Sequence, residues 1–222
     1  LKQLSKRKII ITGGPTREWF DPIRFLSNAS TGKMGVALAD EASKLSGDVV
    51  FIHGPVSDSL LQNKKYRMVS VESTEDMLNA VLIELTDDSV LIMSAAPADY
   101  TPVQKSDLKI KKGDGEMSFE LKRTPDILKN ISKYREENSL NNLFMVGFAA
   151  ETDNTEEYAL GKLKSKGLNM ICLNDVSQAG AGFGKDTNIM TVFINDGGRI
   201  DLPMQSKNEI AVEILKIVEI KL

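Results

Sequence analysis

The chain has 222 residues with 28 basic and 31 acidic side chains, a net charge of −3, one cysteine and one histidine. That length suits one α/β domain with a sizeable core, and so near-neutral a balance excludes bulk attraction to nucleic acid or acidic membranes; anion binding has to be local. A single cysteine forms no internal disulfide and no apolar run approaches the roughly 20 residues of a membrane span, so the expectation is a soluble cytoplasmic protein.

Short apolar and β-branched runs predict strands at 7–12, 48–53, 67–71, 89–95, 143–149 and 169–174, as in a parallel sheet buried on both faces. Helical patterns lie between them at 33–45, 73–85, 125–137 and 154–166. Boundaries are expected from Ser73 with Asp76 three residues on, from Thr124-Pro125 as N-cap and first helical residue, and from Gly167 as a C-terminal stop. The order predicts a single domain over 1–222, a Rossmann-like, doubly wound, mostly parallel sheet with helices on both faces. Two stretches break the alternation. Residues 108–112 and 117–123 flank Gly113-Asp114-Gly115, which predicts a β-hairpin arm inserted at about 101–123. Residues 189–194 and 199–202 flank Asn195-Asp196-Gly197-Gly198, which predicts an antiparallel C-terminal edge before a closing helix from about Ser206.

The chemistry concentrates between strand one and helix one. Ile9-Ile10-Ile11 ends in a Gly13-Gly14-Pro15 break, and Ser30-Thr31-Gly32-Lys33 heads the helix about twenty residues later. A helix start offers unpaired backbone N–H groups and a positive dipole end, so hydroxyls, a glycine and a lysine there suit a phosphate. Ordinary N-capping explains the hydroxyls equally well. Arg24 and Asn28 tilt the balance toward function, because so long a loop is unusual in an α/β connection. Arginine clamps a carboxylate or phosphate in bidentate fashion; asparagine offers donor and acceptor in a neutral group.

The stretch from Ser94 to Asp99 follows the fourth strand and must lie beyond the carboxyl end of the sheet, where open α/β folds bind ligands. Asp99 is there a candidate partner for a nucleotide or its Mg²⁺, and a turn or cap accounts for it as well. Lys109 and Lys111 alternate onto one face of the expected arm strand, whether aimed at a cleft or solvated. Lys162 and Lys166 stand four apart on one helix face. Cys172 reads as a buried strand residue and His53 as a structural one, which argues against a thiol nucleophile, histidine acid–base catalysis or a zinc site.

Residues 11–35, ITGGPTREWFDPIRFLSNASTGKMG, are similar to the signature of bacterial phosphopantothenate-cysteine ligases. SAAPADYTP (94–102), LKIKK (108–112), RTPDIL (123–128), VGFAAET (146–152) and the Lys162/Lys166 pair resemble that family in the same order. The resemblance covers nearly the whole chain. It implies a ligase of coenzyme A biosynthesis that joins 4′-phosphopantothenate to L-cysteine using CTP, through an acyl-cytidylate, with Mg²⁺ held mainly by the triphosphate. It implies two catalytic residues, Lys109 at the phosphate transition state and Asn28 at the acyl-cytidylate. Ser94, Ala95, Asp99, Pro125, Asp126, Ile127, Leu128, Phe148, Lys162 and Lys166 would then surround the nucleotide, joined by Lys109. Arg24, Asn28, Ser30, Thr31, Gly32 and Lys33 would hold phosphopantothenate. The family pairs through the inserted arm, which implies a homodimer with shared sites and no nucleic-acid or membrane partner. Many members carry an upstream flavin-dependent decarboxylase. The expectation here is a stand-alone form or an excised domain, no FMN, and a decarboxylase supplied as a separate chain or a missing domain.

Two other readings use the same residues. Tyr158 and Lys162 match the Tyr-x-x-x-Lys pair of short-chain dehydrogenases, and Thr12-Gly13-Gly14 resembles the start of their cofactor loop. Pro15-Thr16-Arg17-Glu18 stand where further glycines are needed, however, and neither a GxGxxG nor a GxxxxGK motif occurs. A nucleotide-binding regulatory module without catalysis is the non-enzymatic alternative.

Overall fold

The computed structural model describes residues 3–111, 115–151, 155–175 and 185–222. A 3-10 turn at Leu4–Lys6 precedes β1 (Lys8–Gly13), β2 (Arg17–Trp19), β3 (Phe25–Ser27), α1 (Lys33–Ala42), β4 (Val49–His53), α2 (Asp58–Leu61), β5 (Arg67–Ser70), α3 (Thr74–Glu84) and β6 (Ser89–Met93). The order continues with β7 (Tyr100–Pro102), β8 (Leu121–Arg123), α4 (Ile127–Glu137), β9 (Phe144–Glu151), α5 (Thr155–Ser165), β10 (Met170–Asp175), β11 (Thr187–Ile194), β12 (Arg199–Ser206) and α6 (Lys207–Lys221).

Among the described residues, eight strands form one sheet in the order β12-β11-β10-β9-β6-β1-β4-β5. From β10 to β5 all neighbours are parallel, while β11 and β12 add the expected antiparallel edge. The chain builds β1, β4 and β5 outward, then returns across β1 to lay down β6. The crevice between β1 and β6 is therefore the topological switch point, where doubly wound folds bind their ligands.

Successive side chains of a strand point to opposite faces, and here both faces are covered. Ile9 and Ile11 pack with Phe51, Ile92 and Val146 beneath α1 and α6, whereas Ile10 packs with Val50, Ile52 and Leu91 against α3, α4 and α5. That double coverage is why the central strands read as unbroken apolar runs.

The helix signals held in most places. Ser73 and Asp76 close a capping box on α3, Ser206 and Glu209 close another on α6, and Gly167 takes φ +59° just past α5. Helix α4 starts two residues later than Thr124-Pro125 predicts, because Asp126 is the N-cap and accepts from the Lys129 N–H at 3.0 Å. Thr124 is engaged elsewhere: its hydroxyl donates to the Ala98 carbonyl at 2.7 Å and its N–H to the Asp99 carbonyl at 3.0 Å.

The inserted arm differs more. Residues 108–111 form no strand, so the shared strand face expected for Lys109 and Lys111 is not realised, and residues 112–114 lie outside the described residues. The ladder at the base of the arm pairs β7 with β8 instead, Tyr100 opposite Arg123. A second hairpin, β2–β3, occupies the segment expected as loop. The two are fastened together by Asp21, which is fully buried and accepts from the backbone N–H groups of Ile23, Arg24 and Ile110 at 2.8, 2.9 and 3.1 Å. Arg24 pairs with Asp21 at 2.5 Å and donates to the Ile110 carbonyl at 2.9 Å. Both backbone groups of Ile110 are thus held by side chains, which removes its need for a strand partner. Phe20 packs on Phe119 beside this clasp, with ring centroids 4.3 Å apart.

Candidate active site

Two cavities open at the carboxyl ends of the central strands. The first, of about 390 Å³, is lined by the α1 turn Ser30-Thr31-Gly32-Lys33, by Asn28 and by Ser94. The second, of about 540 Å³, lies over Asp99, Pro125, Asp126, Ile127, Leu128 and Lys166. Ala95, Phe148 and Lys162 border both. These volumes are those of ordinary small-molecule sites.

The α1 turn is shaped by close approach. Gly32 is the N-cap in the left-handed region, φ +76°, and no side chain caps the helix; the Ser30 hydroxyl only accepts from the Gly32 N–H at 3.4 Å. Capping by Ser30 or Thr31 is therefore not their role here. A Cβ on Gly35 would stand 2.8 Å from the Gly13 Cα, so α1 presses its first turn onto the end of β1. This delivers helix-start backbone and Lys33 to the cavity mouth.

The loop after β6 is held from beneath. The Thr16 hydroxyl accepts from the Ala98 N–H at 2.9 Å and lies 2.9 Å from the Thr74 hydroxyl, which donates to the Ala98 carbonyl at 3.1 Å. Ser94 donates to the Thr12 carbonyl at 2.5 Å. Asn28 fastens the loop from above, its amide nitrogen donating to the Pro97 and Ala96 carbonyls at 2.9 and 3.3 Å. With the nitrogen facing two carbonyls, the Asn28 oxygen is the end left for a ligand.

In the second cavity Lys166 pairs with Asp126, the α4 N-cap. Burial raises the Asp126 carboxyl, but the Lys166 ammonium and the Lys129 N–H outweigh it and hold the group below its ordinary value. Lys166 and Asp126 thus stand side by side in the lining as a paired cation and carboxylate. Cys172 is fully buried with its thiol pushed up by desolvation, and His53 is buried with Nδ1 2.9 Å from the Gly54 carbonyl. Both are structural, as their positions in strands suggest. Among the described residues, no three His, Cys, Asp or Glu groups cluster as metal ligands, and no helix is long and apolar enough to cross a membrane.

A family model described as "DNA/pantothenate metabolism flavoprotein C-terminal domain" matches residues 4–221. The chain belongs to this family. It is 48% identical over 214 residues, 96% of its length, to the coenzyme A biosynthesis bifunctional protein CoaBC of Bacillus subtilis, covering 51% of that protein. It is 38% identical over 211 residues to CoaBC of Escherichia coli, covering 93% of this chain and 50% of that one. The chain spans about half the length of the curated relatives it matches. The crystal structure of a CoaBC C-terminal domain superposes with a TM-score of 0.80 at 39% identity, covering 99% of this chain and 97% of that one. A Cab2 variant complexed with phosphopantothenate-cysteine shares the fold alone, with a TM-score of 0.72 at 15% identity over 98% of this chain and 88% of that one.

Within this family fold, most residues singled out in the sequence come together. Asn28, the 30–33 turn and Ser94 meet in the first cavity; Asp99, the residues from Pro125 to Leu128 and Lys166 meet in the second; Ala95, Phe148 and Lys162 join them. Arg24 and Lys109 border neither cavity. Arg24 is engaged in the Asp21 clasp, and Lys109 is exposed on the arm beside it. Three polar residues lining the first cavity carry no signal in the sequence: Asn174, Asn188 and Lys207. Lys207 follows a recognisable cap at Ser206, but nothing local says that the start of α6 lies beside the start of α1. Only the packing of those helices on one sheet face brings it there.

Proposed function

We propose that this chain condenses 4′-phosphopantothenate with L-cysteine at the expense of CTP, as a phosphopantothenate-cysteine ligase of coenzyme A biosynthesis. The observation that carries this reading is the pair of cavities with a common wall of Ala95, Phe148 and Lys162. A nucleotide in the second and a phosphorylated acid over the α1 turn would bring an α-phosphorus and a carboxylate together at that wall. The coenzyme A biosynthesis role in the names of the CoaBC relatives supports the substrate.

A carboxylate acylates poorly because its oxygen is a bad leaving group. In the proposed first step a carboxylate oxygen attacks the α-phosphorus of CTP, the bond to the bridging oxygen breaks, and pyrophosphate leaves. In the second, the cysteine amine attacks the acyl carbon, CMP departs and the nitrogen loses a proton. Charge builds on phosphate in the first step and on the acyl oxygen in the second, so fixed cations and helix-start N–H groups are the expected catalysts. Lys109 serves the first step and Asn28 the second. Lys162 and Lys166 hold the nucleotide, with Pro125 to Leu128 and Phe148 about its base; Arg24 and residues 30–33 serve phosphopantothenate. A Mg²⁺ bound mainly by the triphosphate would neutralise charge there; the second cavity offers the exposed Asp99 and an Asp126 already paired with Lys166, which suits that mode of binding better than a closed cage.

Lys109 and Arg24 stand outside both cavities, on a hairpin-and-arm unit that exposes Ile23, Phe25, Tyr100, Leu108, Met117 and Leu121. A homodimer covering these side chains and carrying the arm to the partner's cavities completes both sites. The reading involves a cytoplasmic setting, no FMN, and a decarboxylase supplied by another chain or another part of a longer one. A reductase reading loses support because Tyr158 is more than half exposed and borders neither cavity.

The test is pyrophosphate release with CTP, phosphopantothenate and cysteine, alongside ATP at equal subsaturating concentration. Release that requires CTP and phosphopantothenate, with product formation requiring cysteine, is expected. Tight NADPH binding without pyrophosphate overturns the ligase; a preference for ATP overturns the nucleotide.

A further inference from the structure

The first cavity holds more positive charge than the proposed reaction has so far used. Lys33, Lys162 and Lys207 line it, and none of its lining residues is an aspartate or glutamate. Lys207 is the unusual member. It opens α6 directly after the Ser206 cap, where a long charged side chain ordinarily reaches water, yet it is only 9% exposed. Its ammonium donates to the Lys185 carbonyl and makes no ion pair among the described residues. An ammonium has three donors, so one carbonyl leaves both hydrogen-bonding capacity and charge unmet. Asp186 pairs with Lys33 at 2.6 Å, and its own side chain is 87% exposed. Burial and the charge of Lys33 both lower the Lys207 pKa, against a smaller opposing influence from Asp186.

A second observation points the same way. Asn188, on β11, lines the same cavity at 3% exposure, and its side-chain oxygen has no hydrogen-bond partner; the side-chain oxygen of Asn174 is likewise orphaned. Buried polar atoms are paired in the great majority of cases; of the three orphaned oxygens among the described residues, on Asn174, Asn188 and Gln205, the first two belong to residues lining this cavity and point to a polar ligand there. A carboxamide turned about its last bond offers either its oxygen or its NH₂ group to that occupant. The neighbouring α1 start, with Gly32 as N-cap and no capping side chain, supplies the third element.

We propose that Lys207, with Asn188 beside it, completes a phosphate seat at the start of α1. Two helices thereby each contribute their first residue, Lys33 and Lys207, to one anion. The inference rests on the ligase reading and extends it to α6 and β11, outside the loop motifs. Lys33 and Lys207 also form the wall between this cavity and an outer hollow bordered by Asp40 and Lys64, so the bound phosphate would draw the Lys207 ammonium inward. The shared chemistry is a phosphate group carrying about two negative charges, and two substrates bring one: the monoester of phosphopantothenate and the triphosphate of CTP.

Replacing Lys207 by methionine keeps the buried stem and deletes the charge. Calorimetric titration of the Lys207→Met chain with phosphopantothenate, pantothenate, CTP and CMP separates the sources. Loss of a charge-assisted contact should weaken a phosphate ligand roughly tenfold to a hundredfold. A loss for phosphopantothenate but not pantothenate assigns the seat to the monoester; a loss for CTP but not CMP assigns it to the triphosphate. Asn188→Asp, which sets a carboxylate against the same anion, should weaken the same ligand and decides the matter should Lys207→Met fail to fold. Wild-type affinity for both phosphate ligands in the folded variants, or equal losses for the ligands lacking those phosphates, overturns the seat. Wild-type pyrophosphate release in the same preparations keeps the two questions apart: its absence refutes the ligase, its presence with unaltered variants refutes only Lys207.

Discussion

The α1 turn and the Asp21 clasp both hold irregular backbone near the sheet ends, by opposite means. At α1, glycines bring the helix against β1 and no side chain caps the first turn, so its backbone faces a cavity. At Ile110, Asp21 and Arg24 occupy both the N–H and the carbonyl. Polar backbone left open beside a cavity marks a place for a ligand; polar backbone closed by buried side chains marks a scaffold. Lys109 sits beside the scaffold. On the proposed ligase reading, its ammonium would reach a cavity only across a dimer.

The largest effect expected from that contrast is at Lys109. Lys109→Gln should reduce pyrophosphate release and acyl-cytidylate formation together by about 10²–10³-fold, the usual cost of removing one such electrostatic contact. Asn28→Asp should spare the first step and stall aminolysis, so that the acyl-cytidylate accumulates and is caught by rapid-quench mass spectrometry. If Asn28→Asp abolishes pyrophosphate release as completely as Lys109→Gln does, the division of labour between scaffold and cavity is wrong. Mixing the two inactive variants sharpens the point. In a dimer with shared sites, one of the two sites in each mixed pair regains both residues, so activity should return on mixing. No recovery under conditions of subunit exchange, or a monomer by light scattering at micromolar concentration, removes the shared-site arrangement.

A smaller effect is expected at Asp21. Arg24 lowers its carboxyl well beneath the usual range, against burial and with help from the N–H groups of Ile23, Ile110 and Arg24. A carboxyl so lowered stabilises the fold fully above its unfolded value of about 3.9, and loses that contribution as pH falls toward the folded value. Asp21→Asn should thus melt below wild type at neutral pH, with the gap narrowing between about pH 5 and pH 2. A gap independent of pH would contradict the charge as its source. In the pyrophosphate assay Asp21→Asn should cost about tenfold alone and little in a Lys109→Gln background, because residues acting through one another are not additive. Additive losses would mean that Asp21 merely supports the fold.

The same contrast explains what the sequence could tell. The central strands and α1, α3, α5 and α6 were legible because coverage on two faces writes itself as apolar runs, and because Ser73, Ser206 and Gly167 cap in the ordinary way. Many residues of the loop motifs likewise line the two cavities. What escaped was set by distant partners. LKIKK alternates like a strand, but Ile110 is bonded by Asp21 and Arg24, some ninety residues earlier, and pairs with no strand. Thr124 looks like a cap, but its hydroxyl is taken by Ala98. Three-residue strands such as β2 and β3 carry too short a pattern to register, and Lys207 and Asn188 reach the cavity through helix and sheet packing.

The smallest effect is expected at Lys166, where nucleotide binding and structure compete for one ammonium. Lys166 pairs with Asp126, a half-exposed carboxylate that already has its N-cap role through the Lys129 N–H. Because that cap survives without the lysine, and partly exposed ion pairs contribute only about 0–1 kcal/mol, Lys166→Gln should shift Tm little. Its CTP affinity should nevertheless fall by several-fold, since the same ammonium borders the second cavity. The Asp126 carboxyl, now lacking its principal favourable partner, should also titrate closer to its ordinary value, which NMR can follow. Binding of CTP at wild-type strength, with a lowered Tm, would turn the assignment around: Lys166 would then belong to the packing of α5 on α4, and Lys162 alone would carry the nucleotide.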